Sequence, residues 1–304
     1  MYRRAVTKEL EEIARIELNE TPQARREILQ HIEEWLKKRP HININTEGFW
    51  LLNFIRGCKF SPQKTKEKLE AYFKVKYVIP EILSHRDPLL PALQSLLKNG
   101  YLRLGFSTCN LLFDHFSFII PFGTPDKNVM KLAMMFFELF LNGSDTCMVF
   151  GHYAIVDFKG FSMAFMSQFS PILIKRFLAD VLVAYPLRIK RLYFINCVIG
   201  VETSYNVCKY LFNTKIQKRI SFYGNNYNSI FETIPKKYFP NEYGGCGGSL
   251  AELTDVWKNT MESSRQWFLE NESYELDKKT NESVLSDEIG DRGTEGSFRK
   301  LDFD

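Results

Sequence analysis

The hydrophobic pattern of the chain changes near Gly100, and this change constrains the fold more than any other feature of the sequence. Before it, apolar residues recur every three or four positions in segments that end at prolines, which predicts short helices. After it, short apolar or alternating runs take turns with helical ones, which predicts a sheet covered by helices. We therefore expect an α/β protein with an N-terminal helical bundle and a parallel or mixed sheet.

The same patterns predict four parts along the chain. We expect a helical domain over 1–95, an α/β domain over 96–250, a closing helix over 251–272 and a disordered acidic tail over 273–304. Twelve acidic and six basic residues lie between positions 262 and 304, although the whole chain has a net charge of +4. The body of the protein is therefore basic, while the tail is acidic, polar and aperiodic, which is typical of disorder.

Local patterns give predictions for two segments and for the location of the protein. The apolar run Met148–Phe158 predicts one strand, and the segment Thr203–Ile220 predicts one helix on which Lys215 and Arg219 share a side. No apolar run approaches the roughly 20 residues of a membrane-spanning helix. The charged first residues do not resemble a signal peptide. We therefore expect a soluble protein of the cytoplasm.

The sequence offers little support for catalysis, metal binding or a cofactor. No histidine follows His152, and neither a G-x-S-x-G elbow nor a G-x-x-x-x-G-K-[ST] phosphate loop is present. No two cysteines have the C-x2-C spacing that zinc sites favour. His115 and His152 could meet near Asp114 or Asp157 as a catalytic or metal pair, but buried structural histidines are the preferred interpretation. We expect a protein that is not an enzyme and holds no cofactor.

Two features of the sequence point to a binding function instead. The second domain is rich in aromatic and aliphatic positions, which fit either an ordinary core or an apolar cavity. Between Pro186 and Arg219 there are seven basic residues and a single acid, Glu202. Such a cluster is typical of a solvated surface or of a site for anionic membrane headgroups. Each cation near an anionic membrane contributes ~1 kcal/mol to binding. Nucleic acid is not expected, because no nucleic-acid-binding module is recognised.

A series of motifs connects these features to a known family. The motifs occur in order at Trp50–Ser61 (W-L-L-N-F-I-R-G-C-K-F-S), Ile155–Gly160 (I-V-D-F-K-G), Tyr185–Asn196 (Y-P-L-R-I-K followed by F-I-N), Lys215–Asn226 (K-I…R-I…G-N-N) and Pro240–Gly245 (P-N-E-Y-G-G). This series resembles the CRAL-TRIO family over roughly residues 10–270. The subgroup that it most resembles contains alpha-tocopherol transfer protein, cellular retinaldehyde-binding protein and many arthropod members.

The resemblance implies a fold and an activity. It implies a helical N-terminal domain and a lipid-binding domain whose mobile gate helix maps to about 201–211. It also implies a monomeric carrier that transfers one hydrophobic lipid, such as tocopherol or a retinoid, to membranes with which it associates peripherally. Phosphoinositide binding would fall on Arg188, Lys190, Lys215 and Arg219. Position and apolarity extend the expected pocket to Ala133, Phe137, Phe140, Ile155, Phe158, Phe161, Phe165, Phe169, Phe177, Val181, Leu187 and Ile189.

The chain departs from the family pattern at several positions. Cys58 stands where the family usually has an arginine, and Lys59 follows it. Ala133 and Phe137 stand where the tocopherol-binding branch places small hydroxyl side chains, which argues against tocopherol. A pocket with few hydrogen-bond donors favours a more apolar or differently shaped ligand.

Three alternatives remain open at this stage. The protein could be a lipid-sensing module that docks a partner through its acidic tail, or a phospholipid exchange protein. The third alternative is a lipid-modifying enzyme, for which Asp157, Asp180 and His152 are the candidate polar groups.

Overall fold

The computed structural model describes residues 8–39, 42, 48–99, 103–105, 116–121, 127–143, 145–159, 184–197, 200–211, 214–226 and 228–272. The predicted tail at 273–304 lies outside these ranges. So do the predicted pocket residues Phe161, Phe165, Phe169, Phe177 and Val181, and only the backbone of Phe140 is described.

The N-terminal part is helical, as the sequence predicts. Its helices are α1 (Lys8–Leu18), α2 (Pro22–Lys37), α3 (Gly48–Gly57), α4 (Pro62–Val78), α5 (Pro80–Leu83) and α6 (Pro91–Lys98). Local chemistry sets two of the starts. The side chains of Thr21 and Ser61 accept hydrogen bonds from backbone N–H groups in the first turns of α2 and α4, and a proline follows each cap. Proline suits this position because its missing N–H would have no helical partner there.

Among the described residues, a mixed sheet of five strands forms the centre of the second domain. Its strands are β1 (Arg103–Gly105), β2 (Phe116–Pro121), β3 (His152–Asp157), β4 (Ile189–Ile195) and β5 (Ile220–Phe222), and they lie in chain order across the sheet. β1 and β2 are antiparallel, whereas β2 to β5 are parallel. Along the chain, helices alternate with these strands. They are α7 (Lys127–Gly143), α8 (Asp145–Phe150), α9 (Val201–Cys208) and α10 (Thr214–Gln217). The predicted α/β architecture is confirmed.

The two faces of this sheet pack differently, since successive residues of a strand point to opposite faces. Ile155, Tyr193 and Ile195 are fully buried against the segment 230–243 on one face. On the other face, Val156 packs with Val201 at the start of α9.

The C-terminal segment folds as two helices, α11 (Leu250–Ser263) and α12 (Arg265–Glu272), so the single closing helix predicted over 251–272 is wrong in this respect. The break lies at Ser264, whose backbone N–H bonds to the carbonyls of Thr260 and Met261 and whose φ of −90° and ψ of 5° leave the helical region. Serine favours such ends because its hydroxyl competes for backbone hydrogen bonds. None of the helices within the described ranges combines the length and hydropathy needed to cross a membrane.

Two further sequence predictions are wrong in extent. The run Met148–Phe158 is not one strand, because α8 extends to Phe150 and Gly151, at φ +84°, separates it from β3. A short apolar run by itself does not distinguish a buried helix from a strand. The helix predicted over Thr203–Ile220 is interrupted, because α9 and a 3-10 turn at Lys209–Leu211 precede α10, and β5 begins at Ile220. Pairing with β4 takes the last residue of this segment, Ile220, into the sheet.

Candidate functional site

Two of the sequence motifs meet where the helical domain contacts the α/β domain. α3 ends at Gly57, where a Cβ atom would lie 2.5 Å from Pro186 Cβ and 2.6 Å from the Pro186 carbonyl oxygen. Lys68 Nζ of α4 donates to the Tyr185 carbonyl oxygen at 3.1 Å. The absence of a side chain at Gly57 therefore allows the two motifs to pack backbone against backbone.

A buried polar network lies beside this contact. The Glu138 carboxylate accepts hydrogen bonds from Tyr185 Oη at 2.6 Å and Tyr72 Oη at 3.2 Å, and it pairs with Arg86 and Asn271. Glu138 is 1% exposed and Arg86 is 0% exposed. Burial, together with the Glu138 charge, holds the pKa of both tyrosines above the usual value, so both hydroxyls remain donors. Sequence reasoning missed this network, although Glu138 is the single acid of α7, a helix that is mostly apolar.

Arg188, one of the predicted headgroup residues, is 6% exposed in this structure. Its Nη1 donates to the Met148 carbonyl at 2.9 Å and to the Val149 carbonyl, and therefore caps the C-terminus of α8. Its Nη2 lies 2.7 Å from Glu17 Oε2, and Lys190 Nζ lies 2.5 Å from the same oxygen. Arg188 and Lys190 thus share one carboxylate, which α1 supplies.

Lys215 and Arg219 do not share a helical side, because α10 ends at Gln217. Arg219 instead follows α10 in a turn and donates through Nη1 to the Ile189 carbonyl at 2.5 Å. The pKa of Lys215 is lowered, first by burial and then by the surrounding cations Arg219, Lys59, Lys64 and Arg188. The structure therefore brings cations from both domains together. We call them the cationic cluster, which consists of Lys59, Lys64, Arg188, Lys190, Lys215 and Arg219.

The departure at Cys58 has a clear structural consequence. Cys58 is 3% exposed, and burial raises the pKa of its thiol, so it adds no charge to the surface. The exposed neighbour Lys59 has a left-handed φ of +50° and belongs to the cationic cluster. The basic charge at this end of the site thus comes from Lys59.

The predicted pocket residues whose side chains are described do not form one cluster. Ala133 and Phe137 of α7 pack with residues of α6 and α11, and Phe137 also contacts the core of the helical domain. Leu187 packs against that helical core, while Ile189 is half-buried at the start of β4. Ile155 lies on the face of the sheet that packs against 230–243, whereas Phe158 lies with Val156 and α9 on the other. The pocket assignment for these residues stays a prediction.

An aromatic strip lies beneath α9, and sequence reasoning found only one of its members. Phe158 and Phe194 have ring centroids 5.5 Å apart, Phe194 and Phe222 5.1 Å, and Phe222 and Tyr205 of α9 5.0 Å. Phe194, Phe222 and Tyr205 are only half-buried. We call these four residues the aromatic strip. The alternation of apolar residues in β4 was the available signal, since Phe194 points away from the buried Tyr193.

The polar groups considered for catalysis have structural partners. The Asp157 carboxylate accepts hydrogen bonds from Tyr243 Oη at 2.6 Å, Asn196 Nδ2 at 2.7 Å and the Lys159 backbone N–H at 2.8 Å. Burial, and then the Arg188 charge, lower the pKa of His152 to about 4. Asp180, His115 and Asp114 lie outside the described residues. Within the described ranges, no three potential metal ligands come together.

Comparison with known proteins agrees with this architecture. A family model described as a Pinta-like UBA domain matches residues 21–93, and one described as a CRAL/TRIO domain matches residues 111–245. The alpha-tocopherol transfer protein-like protein of Mus musculus is 26% identical over 270 residues, which are 87% of this chain and 77% of that protein. The human counterpart is also 26% identical, over 87% of this chain and 78% of its own length.

More distant similarities point the same way. Clavesin-2 of Rattus norvegicus is 24% identical over 244 residues, which are 77% of this chain and 73% of clavesin-2. The crystal structure of Sfh5 has a TM-score of 0.50 at 11% identity and covers 90% of this chain and 99% of its own, which shows a shared fold. The motifs, the mixed sheet and these matches agree that the chain contains a CRAL/TRIO domain over residues 111–245, preceded by a helical N-terminal part.

Proposed function

We propose that the chain binds one hydrophobic lipid in its CRAL/TRIO domain and transfers it to membranes without changing it chemically. The aromatic strip carries this proposal. Tyr193 and Ile195 on the opposite face of the sheet are fully packed, whereas Phe194 and Phe222 beneath α9 keep part of their apolar surface unburied. A bound lipid would cover such surface, and each Å² of apolar surface removed from water contributes about 25 cal/mol.

Helix α9 is the gate in this proposal. It begins after Gly200, whose φ of +105° is available to glycine without strain. It also contributes Tyr205 to the aromatic strip and is followed by Tyr210, which is 75% exposed. A short helix that follows such a glycine can move as a unit about it, as the lids of binding sites do.

The cationic cluster supports a second part of the proposal, the binding of phosphoinositide headgroups. Burial and neighbouring positive charge both lower the pKa of Lys215, so an anion placed there would relieve repulsion between cations. Lys59 lies within the motif of the helical domain and Lys64 lies three residues after it, while Lys215 and Arg219 lie shortly after α9. Headgroup binding near the gate would favour ligand release if the open state binds membranes more tightly than the closed state. We propose a monomer in the cytoplasm that contacts membranes peripherally.

The experiment combines lipid identification with transfer. Lipids that co-purify with the full chain would be identified by native mass spectrometry, and transfer of that lipid between vesicles would be measured. Phe194→Ala, in the aromatic strip, should lower lipid occupancy severalfold. Tyr193→Ala, its neighbour on the opposite face, should lower stability but leave the occupancy of the folded protein unchanged. No co-purified lipid and no transfer would refute the carrier function, and a chemically altered lipid would favour an enzyme.

The same assay tests the headgroup role. Lys215→Ala with Arg219→Ala removes two cations of ~1 kcal/mol each, which corresponds to roughly 30-fold weaker binding to phosphoinositide vesicles. Lys98→Ala, an exposed cation at the end of α6, is the control and should bind as the unmodified chain does. Equal binding by all variants would remove the headgroup role while leaving the lipid-carrier function untouched.

A further inference from the structure

Helix α1 lies outside both family-matched segments, yet it contacts the cationic cluster. The helix buries Leu10, Ala14 and Leu18 and packs against α8 of the CRAL/TRIO domain. This orientation leaves the Glu17 side chain 35% exposed at the cationic cluster. The last turn of α1 therefore presents a carboxylate to the surface for which we propose headgroup binding.

Glu17 occupies part of that surface. Its Oε2 lies 2.7 Å from Arg188 Nη2 and 2.5 Å from Lys190 Nζ. The side chain of Arg188 is 6% exposed and that of Lys190 is 28% exposed. Because one carboxylate oxygen lies against both cations, a phosphate oxygen can take the same position only after Glu17 has left it. The groups that bond Glu17 are Lys190 and Arg188, whereas Arg219 donates to the Ile189 carbonyl oxygen, so binding at Arg219 does not require this displacement.

The charges decide which ligands can displace Glu17. Burial tends to raise the pKa of Glu17, but hydrogen bonds from Lys190 and Arg188 outweigh burial and lower it, so the carboxylate is ionised at neutral pH. It is also tethered, with an effective concentration that is commonly in the millimolar range. A singly charged headgroup offers Arg188 and Lys190 no more charge than Glu17 already does. A phosphate monoester carries about −1.5 to −2 at pH 7 and offers three acceptor oxygens.

We propose that Glu17 is an internal competitor of the headgroup site, which keeps Arg188 and Lys190 closed to singly charged lipids and yields, with release of α1, to a phosphate monoester. The inference rests on the proposed headgroup role and assigns its charge specificity to a residue outside the matched domains. It differs from a purely structural ion pair in its consequence. A structural pair would make Glu17→Gln less stable without tighter binding, whereas a competitor makes the variant bind more tightly and less selectively.

The test compares three ligands with the full chain. Vesicles of phosphatidylcholine with phosphatidylserine present single charges, vesicles with phosphatidylinositol bisphosphate present phosphate monoesters, and soluble inositol trisphosphate presents the same chemistry without a membrane. Glu17→Gln removes the charge and keeps the size of the side chain. Glu12→Gln is the matched control, because Glu12 lies on the same helix and pairs with Arg15 where both side chains are more than half exposed.

We expect Glu17→Gln to bind phosphatidylserine vesicles about tenfold more tightly, because the tethered competitor is gone. Binding to bisphosphate vesicles should tighten less, so that the ratio between the two lipids falls, and Glu12→Gln should keep the ratio of the unmodified chain. Tight binding of inositol trisphosphate would identify the phosphate itself as the ligand. Binding only to the bisphosphate vesicles would identify the lipid surface as a required part of the ligand.

A second measurement needs no variant. In the unmodified chain, backbone amides 8–18 should exchange with deuterium severalfold faster once inositol trisphosphate or bisphosphate vesicles are bound. An unchanged lipid ratio in Glu17→Gln, with α1 exchange unaffected by ligand, would overturn the inference. That outcome is distinct from failure of the headgroup role, in which the Lys215 and Arg219 variant binds like the unmodified chain, and from failure of the carrier function, in which no lipid co-purifies.

Discussion

Replacing Glu138 by leucine should destabilise the protein by about 4–6 kcal/mol. The loss is mainly electrostatic, since Arg86 is 0% exposed and pairs with Glu138, and breaking a buried ion pair costs about 3–5 kcal/mol. The hydroxyls of Tyr72 and Tyr185 lose their acceptor as well, at roughly 1 kcal/mol each. A weaker contact at 3.8 Å between Arg86 and Glu272 offsets part of this loss. Against a total stability of about 5–15 kcal/mol, the change is large.

Guanidinium unfolding measured by tryptophan fluorescence is a suitable assay, because two tryptophans report on the core. The ring centroids of Trp50 and Tyr72 are 5.5 Å apart, and Trp257 of α11 lies in a buried hydrophobic cluster. The midpoint should fall without a change in slope. Arg86→Met with Glu138→Leu replaces the buried pair by apolar groups, so the double variant should recover most of the loss. Tyr72→Phe is the control for one hydrogen bond.

Two results would refute this reasoning. A loss below about 1 kcal/mol in Glu138→Leu would mean that Arg86 is not held by its charge partner in the folded protein. A double variant as unstable as the sum of both single variants would mean that Arg86 and Glu138 do not interact.

The other predictions concern pH and backbone packing. The pKa of His152 is lowered to about 4, mainly by burial, while the unfolded value is near 6.5. The contribution of His152 to the free energy of unfolding should therefore be fully present above pH 6.5. It should fall by about 3 kcal/mol as the pH is lowered to 4, because only the unfolded chain takes up the proton in this range. His152→Gln should lose this part of the pH dependence, and an unchanged profile in denaturation between pH 4 and 7 would contradict the assignment. Gly245→Ala places a Cβ 2.1 Å from the Phe239 carbonyl oxygen, whereas a Cβ at Gly224 has no atom within 4 Å. In thermal unfolding, Gly245→Ala should lose about 1–3 kcal/mol of stability, whereas Gly224→Ala should stay within about 0.5 kcal/mol of the unmodified chain. Equal losses would argue against the close packing of Gly245 on Phe239.

The proposed headgroup residues were predictable from the sequence only in part. The charge of Arg188, Lys190, Lys215 and Arg219 was visible in the sequence, and the structure does bring Lys215 close to Arg219. Their partners were not visible, because Glu17 lies 171 positions from Arg188 and belongs to a helix with no family motif. A long-range ion pair leaves no local pattern, so charge alone did not distinguish a buried arginine from an exposed one.

What the sequence by itself determined is the set of features that depend on neighbouring residues. Thr21 and Ser61 cap helices within one turn, apolar spacing defines the N-terminal helices and α7, and the ordered motifs indicate the CRAL/TRIO domain. The tertiary structure alone decided that Met148 folds into a helix, that Arg219 lies in a turn, and that Glu17 contacts the cationic cluster. These outcomes depend on contacts between distant segments, whose burial and pairing energies outweigh local preference.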